Sequence, residues 1–328
     1  MKQPYKIIHM DKEQTKMLKG IAILMVVIGH IGSFSGLLPF IPLGACGVYI
    51  FLFLSGYGLM RSAYEKGLQG YWIKRTRNVY FPYLAVLVFV LILSAITKNG
   101  VNASFIKYLF FIDYPFGEYW YLLLQMEWYI VFFLIWNVKL KFLLDLKLIL
   151  LMMIVSDILI ISINMPDRKF VWTFGAFVLG CSIGNYGIQV FSRMCNIYIT
   201  AGFMAVIAIA MVIKKLPWVE AHELGVADTI CQIMIVFCAA TLVIIYVGVG
   251  IVKWLYGIKT MLLVMGRYSY EIYLTHSVYI EMLKNVAEKP IKEKLLVILV
   301  FIGLTFVSTL MLRHFMRQMD KIYHRKAV

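Results

Sequence analysis

The chain has 328 residues, of which 62% are hydrophobic and only 15% charged, with a mean hydropathy of +0.83. A soluble domain carries roughly 45–50% apolar and about 25% charged residues, so this composition excludes a water-soluble protein. The net charge of +15 is spread by loop and not gathered into the contiguous patch that a nucleic-acid binder needs.

Residues 1–16 read as a cytoplasmic or interfacial arm with basic residues ahead of an apolar run. The arrangement is like that of a signal peptide, but no small-residue cleavage site follows His30, so the run is expected to remain as a span. Uncharged runs of 18 residues at 43–60, 79–96 and 295–312 approach the ~20 residues that cross a bilayer as helix. Taken in order, the apolar stretches predict ten transmembrane helices, at 17–35, 43–60, 79–96, 119–137, 148–163, 170–186, 197–213, 227–252, 261–283 and 295–312. The expected fold is an all-α polytopic integral membrane protein with one domain over 1–328, multi-pass in the plasma or inner membrane. Residues 101–118, with the turn Asp113-Tyr114-Pro115-Phe116-Gly117, are expected to lie along the outer interface. The tail 313–328 reads as a short basic surface helix attracted to anionic lipid.

Ten spans put both termini on one side. With the termini inside, 22 of the 32 Lys and Arg residues fall in inner segments, and basic residues in short loops prefer the cytoplasm. Both termini are therefore expected to be cytoplasmic. Cys46, Cys181, Cys195, Cys231 and Cys238 form no C-x-x-C and no Cys/His cluster, so no metal is expected and the thiols read as small apolar side chains.

The first span contains "LKGIAILMVVIGH". In a helix the 11-residue step from Lys19 to His30 is about three turns, so both side chains share one face about 16 Å apart along the axis. Lys19 then sits at the inner interface and His30 well inside the bilayer, where ionisable groups are costly and usually line a cavity or take part in chemistry. The ninth span repeats the arrangement: in "MGRYSYEIYLTH" Arg267 precedes His276 by nine residues. Ser269, Tyr273 and His276 fall on one stripe of that helix, whereas Glu271 faces elsewhere and needs a partner of its own. Two helices with a basic inner end and a histidine at similar depth suggest two walls of one cavity.

These residues carry a resemblance. "LKGIAILMVVIGH" resembles the opening signature of the membrane-bound acyltransferase-3 family, a basic residue followed by a histidine, with Lys19 where arginine is usual. In the same order, "GVYIFLFLSGYGLM" is similar to the family's second span, "YWIKRTRNVYFPYL" to its arginine-bearing loop and "EYWYLLLQMEWYI" to its Trp-anchored fourth span. "MGRYSYEIYLTH" is similar to its closing element. The resemblance implies transfer of an acyl group, usually acetyl from acetyl-CoA, to a hydroxyl of a sugar, a cell-envelope glycan or a lipid precursor. His30, Lys19 and His276 occupy the family's histidine, basic and late-histidine positions. Two departures stand out: Arg75 and Arg77 flank a single threonine, and Gln125 occupies a position where many members carry glutamate, leaving Glu127 as the acid of that helix.

On this reading His30 is the general base that sharpens the incoming hydroxyl, or alternatively the carrier of a covalent acetyl group. Lys19, Lys74, Arg75 and Arg77 supply charge for the phosphates of acyl-CoA. Ser55, Gln125, Glu127, Ser269, Glu271 and Tyr273 are further cavity candidates. Ser55 with Gly56 also suits plain helix packing, and Asp157 reads as a buried carboxylate that is either structural or cavity-lining. A proton-coupled secondary transporter or lipid-linked-sugar permease would use the same buried His, Asp and Glu residues, although no matching pair of broken helices is evident in the two halves.

Overall fold

The computed structural model describes residues 7–36, 41–96, 105–142, 144–163, 168–222, 225–250, 257–284 and 286–326. Residues 1–6 of the arm, 101–104 of the expected interfacial stretch and the last two of the tail lie outside them. The described residues form an all-α protein, with α1 Lys12–Ser35, α2 Ile41–Lys66, α3 Tyr71–Arg75, α4 Phe81–Ile96, α5 Phe105–Leu109, α6 Trp120–Phe142, α7 Leu146–Ile163 and α8 Ala176–Tyr186. There follow α9 Gln189–Met194, α10 Ile197–Lys214, α11 Pro217–Glu220, α12 Val226–Gly248, α13 Lys259–Arg267, α14 Ser269–Tyr279 and α15 Ile291–Lys326. Among the described residues, 8 helices are long and apolar enough to cross a membrane.

The other two expected spans are each assembled from shorter pieces. Residues 170–186 comprise a 3-10 turn, Arg168–Thr173, and α8, separated by Gly175 at φ +76°, a left-handed conformation that glycine adopts without a Cβ clash. The buried carboxylate of Asp157 accepts the Gly175 amide at 2.7 Å, so Asp157 satisfies a backbone donor at the break. Residues 261–283 comprise α13, α14 and a 3-10 turn, with the chain leaving helical geometry at Tyr268.

The chain forms two compact units, Met1–Gly29, Phe40–Leu68 and Leu124–Arg267 in the first, and His30–Pro39, Gln69–Leu123 and Tyr268–Val328 in the second. In the first, helices meet backbone to backbone. A Cβ on Gly56 would overlap the carbonyl oxygen of Phe177, and one on Gly180 that of Phe53, so α2 and α8 touch where neither has a side chain. Small residues allow this close approach in lipid, where the hydrophobic effect does not drive one helix against another. Gly266 of α13 meets the Lys16 carbonyl and Gly20 of α1 meets the Leu262 carbonyl in the same way. Trp128 of α6 stacks on Phe177 of α8 at 4.3 Å between ring centroids. Cys46, Cys181, Cys231 and Cys238 are buried free thiols, as their apolar surroundings predict, while Cys195 is half-buried.

The second unit gathers α4, α14 and α15. Pro82 has no amide hydrogen to return to residue 78, and the chain opens into a π-turn, Thr76–Tyr80, just before α4. The Tyr270 hydroxyl donates to the Val79 carbonyl of that turn at 2.8 Å. Tyr80, at the end of that turn, and Tyr83 of α4 donate to the carbonyls of Leu109 and Tyr108, each at 2.9 Å, which ties α5 down.

Candidate active site

The site is built on α14, whose buried residues are polar to an unusual degree for an apolar protein: Ser269, Glu271, Tyr273, Thr275, His276 and Ser277. His276 is fully enclosed at 0% exposure. Its Nδ1 lies 3.0 Å from the carbonyl oxygen of Ile272. A carbonyl only accepts, so Nδ1 carries the proton and Nε2 presents its lone pair. Among the described residues that Nε2 has no hydrogen-bond partner.

His30, half-buried near the end of α1, brings its ring to 5.5 Å from that of His276, with 36° between the planes. Two histidines 246 positions apart in sequence are thus neighbours, one sealed and one partly open. Tyr273 stands one turn before His276, 5.7 Å between ring centroids. Its hydroxyl donates to the Glu118 carbonyl, and Tyr121 meets its ring edge-on at 5.3 Å. Tyr119 donates to the Leu274 carbonyl at 2.6 Å. The segment around the 3-10 turn Gly117–Tyr119 is therefore fastened to the histidine-bearing helix, and the Tyr273 hydroxyl is committed to that structural bond.

The remaining predicted residues divide between the units. Ser269 is buried in the first turn of α14. Glu271 finds the partner its position demands in Arg313 of α15, 2.7 Å away. Lys74 is exposed, reaching the Gln69 carbonyl at 3.4 Å. Arg75 lies 4.2 Å over the Tyr71 ring, and Arg77 pairs with Asp320 at 2.9 Å. These belong to the same unit as the two histidines. Lys19, exposed on α1, Ser55, half-buried on α2, and Gln125 (buried) and Glu127 (half-buried) on α6 belong to the first unit.

A cavity of about 550 Å³ opens between α4, α14 and α15, lined chiefly by hydrocarbon such as Leu84, Phe89, Val278, Met311 and Met316. Neither histidine lines it. Residues absent from the sequence prediction are Arg313, which reads there as the first charge of a basic tail, and the hydroxyls of Thr275, Thr309, Tyr279 and Ser308. The available signal was the unpartnered Glu271 together with an arginine closing the last apolar run.

An enclosed imidazole with a fixed tautomer beside a partly open one is an arrangement that can pass a proton between the two rings. No curated protein and no solved structure matches the chain at a significant level. The profile of one family, described as an acyltransferase domain, matches residues 15–313. That match covers the histidine pair, all eight apolar helices in whole or part, and most of the sequence, and the chain belongs to the acyltransferase 3 family of membrane acyltransferases.

Proposed function

We propose that the protein is a plasma- or inner-membrane O-acyltransferase that moves an acyl group, acetyl by preference, from acyl-CoA at the cytoplasmic side to a hydroxyl of a sugar, glycan or lipid precursor. The reading carries ten membrane crossings and both termini in the cytoplasm. A thioester is already activated, so the protein needs a base for the hydroxyl, a place for both substrates, and stabilisation of the tetrahedral oxyanion.

The observation that supports this most is the pairing of half-open His30 with sealed His276 at 5.5 Å. His30 acts as the general base because it is the member of the pair with exposure to offer. His276 lies behind it, with a lone pair available to the proton that His30 collects. Lys74, Arg75 and Arg77 of the second unit hold the donor's phosphates, where charge-assisted hydrogen bonds are the stronger kind. A carrier reading would need a substrate to cross, and family membership favours group transfer.

The test uses the purified protein and membranes from a strain lacking it, with labelled acetyl-CoA. Label is expected to enter a glycan or lipid fraction with the wild type and fall by about 10²-fold or more with His30→Ala, the range of a lost general base. Solute accumulation without label transfer, or full transfer by His30→Ala, would overturn the reading.

A further inference from the structure

α14 and α15 meet in a row of polar contacts repeated along both helices. Glu271, Thr275 and Tyr279 are spaced by four residues, so they lie on one face of α14. Opposite them on α15, Arg313 reaches Glu271 at 2.7 Å, Thr309 meets the Thr275 hydroxyl at 2.9 Å, and Ser308 meets the Tyr279 hydroxyl at 2.6 Å. The partner numbers fall as the α14 numbers rise, as two antiparallel helices require. Thr275 also donates toward its own helix at the Glu271 carbonyl, 2.9 Å away.

Ordinary packing would not need this. Between residues 295 and 312, α15 is otherwise, apart from Gly303 and Thr305, a run of Leu, Ile, Val, Phe and Met, and Thr275 and Thr309 are buried at 4% and 3% exposure. Such hydrogen bonds help to hold two helices together in lipid, as close apolar contact also can without desolvating hydroxyls. The contacts do something that apolar packing does poorly, which is to fix register. Sliding α14 by one residue turns each side chain by 100° and shifts it 1.5 Å, so all three bonds are lost together. His276 sits between the second and third rungs, directly after Thr275. The same one-residue slip would carry its ring out of the face it shares with His30.

We propose that this three-rung ladder is a positioning device: Arg313, Thr309 and Ser308 hold α14 in the register that sets His276 against His30, and they act on acyl transfer through His276. The inference rests on the reading of the histidine pair given above. Arg313 and Thr309 stand apart from the apolar cavity that Ser308, Thr275 and Tyr279 help to line, and the ladder's effect reaches the reaction through the imidazole.

Thr309→Val removes the middle rung while nearly keeping shape, and Thr309→Ser keeps the hydroxyl. Thr309→Val is expected to lower kcat about tenfold, equivalent to ~1.4 kcal/mol, with KM for the acyl donor within about twofold. Thr309→Ser should restore the rate. In a His276→Ala background, Thr309→Val should cost nothing more, since residues acting through one group are not additive. A second readout is independent of turnover: modification of His276 by diethyl pyrocarbonate, followed by mass on the peptide that contains it. The sealed ring should react slowly in wild type and several-fold faster in Thr309→Val.

Additive losses in the double variant, or unchanged kcat and unchanged labelling in Thr309→Val, would overturn the ladder's role. If the wild type transfers no acyl group, the proposed function fails, and the labelling comparison still decides the ladder. If Thr309→Val does not reach the membrane folded, Ser308→Ala takes its place, with the same expected and contrary results.

Discussion

Two helix pairs, α2 with α8 in the first unit and α14 with α15 in the second, solve the same problem by different means. Inside a membrane, helices gain little from expelling water, so contact must come from close approach or from hydrogen bonds. In the first unit α2 and α8 use the former, Gly56 and Gly180 letting them meet at their backbones, although α10 and α12 of that unit are joined by hydrogen bonds, Thr200 to Tyr246 at 2.6 Å and Lys214 to Gln232 at 2.7 Å. The second uses the latter, with hydroxyl and ionic rungs between α14 and α15. A glycine contact sets distance and tolerates small slides, whereas a hydrogen-bond rung sets register. The helix carrying the enclosed histidine is held by the second kind.

The largest effect is expected from breaking the glycine contact. Gly56→Leu or Gly180→Leu would drive a side chain into a backbone carbonyl that cannot move aside without separating two helices. We expect a loss of about 3 kcal/mol or more, at the upper end of overpacking costs, read as loss of monodisperse protein after detergent extraction. Gly58, which has open space around it, is the internal control, and Gly58→Ala should leave yield unchanged. Equal loss from Gly58→Ala would mean that α2 is merely intolerant of substitution.

A smaller effect tests the polar side of the comparison. Glu271 is 7% exposed while the Arg313 side chain is 36% exposed, so removing Arg313 leaves a nearly sealed carboxylate, whereas removing Glu271 leaves a cation that can turn toward headgroups. Arg313→Met should therefore destabilise more than Glu271→Gln, by about 2 kcal/mol against about 1 kcal/mol. The double variant should recover part of the loss, because no lone charge remains. Thermal unfolding in detergent would check the order, and a double variant worse than either single one would show that the pair adds more than mutual neutralisation.

How far the sequence revealed this depends on the range of each interaction. The spans are visible because a bilayer demands long uncharged runs, and His30 and His276 stand out because such runs seldom carry ionisable groups. That Glu271 requires a partner follows from helical geometry alone. That the partner is Arg313 does not, because 42 residues separate them and the choice depends on which helices become neighbours. The break before α8 is a similar case: Gly175 is visible as a glycine, but its left-handed turn is held by Asp157 from the preceding helix. Tyr273 is legible as a cavity candidate, but the bond from its hydroxyl to the Glu118 carbonyl in the 3-10 turn at Gly117–Tyr119 is not, since a backbone carbonyl at a turn leaves no trace in side-chain spacing. Lys19 and the three loop cations are legible as charges, yet short basic loops are expected of any polytopic chain with or without a ligand.

The gentlest probe concerns the amino-terminal arm, which is bound to the first unit by hydrogen bonds in place of glycines. The Ile8 amide donates to the Gln189 side chain at 2.9 Å, and the Ile188 amide donates to the Ile8 carbonyl at 2.7 Å. His9 Nε2 lies 2.9 Å from Arg61 Nη1. A guanidinium only donates, so His9 must be unprotonated there. Partial burial, and then the Arg61 charge, hold the His9 pKa below its ordinary 6.5, partly opposed by Glu65. The folded arm thus favours neutral imidazole, so its share of the binding is full above 6.5 and is lost as pH falls through the lower folded value. A spin label at Ile7, which is 50% exposed, should gain mobility between about pH 7.5 and about pH 5. His9→Gln, which cannot titrate, should flatten that response, and an equal gain in the variant would assign the loosening to other groups. Because the change releases only one strap of the first unit, thermal stability should move by less than about 1 kcal/mol, the smallest of the three effects and the one that separates tethering by hydrogen bonds from tethering by contact.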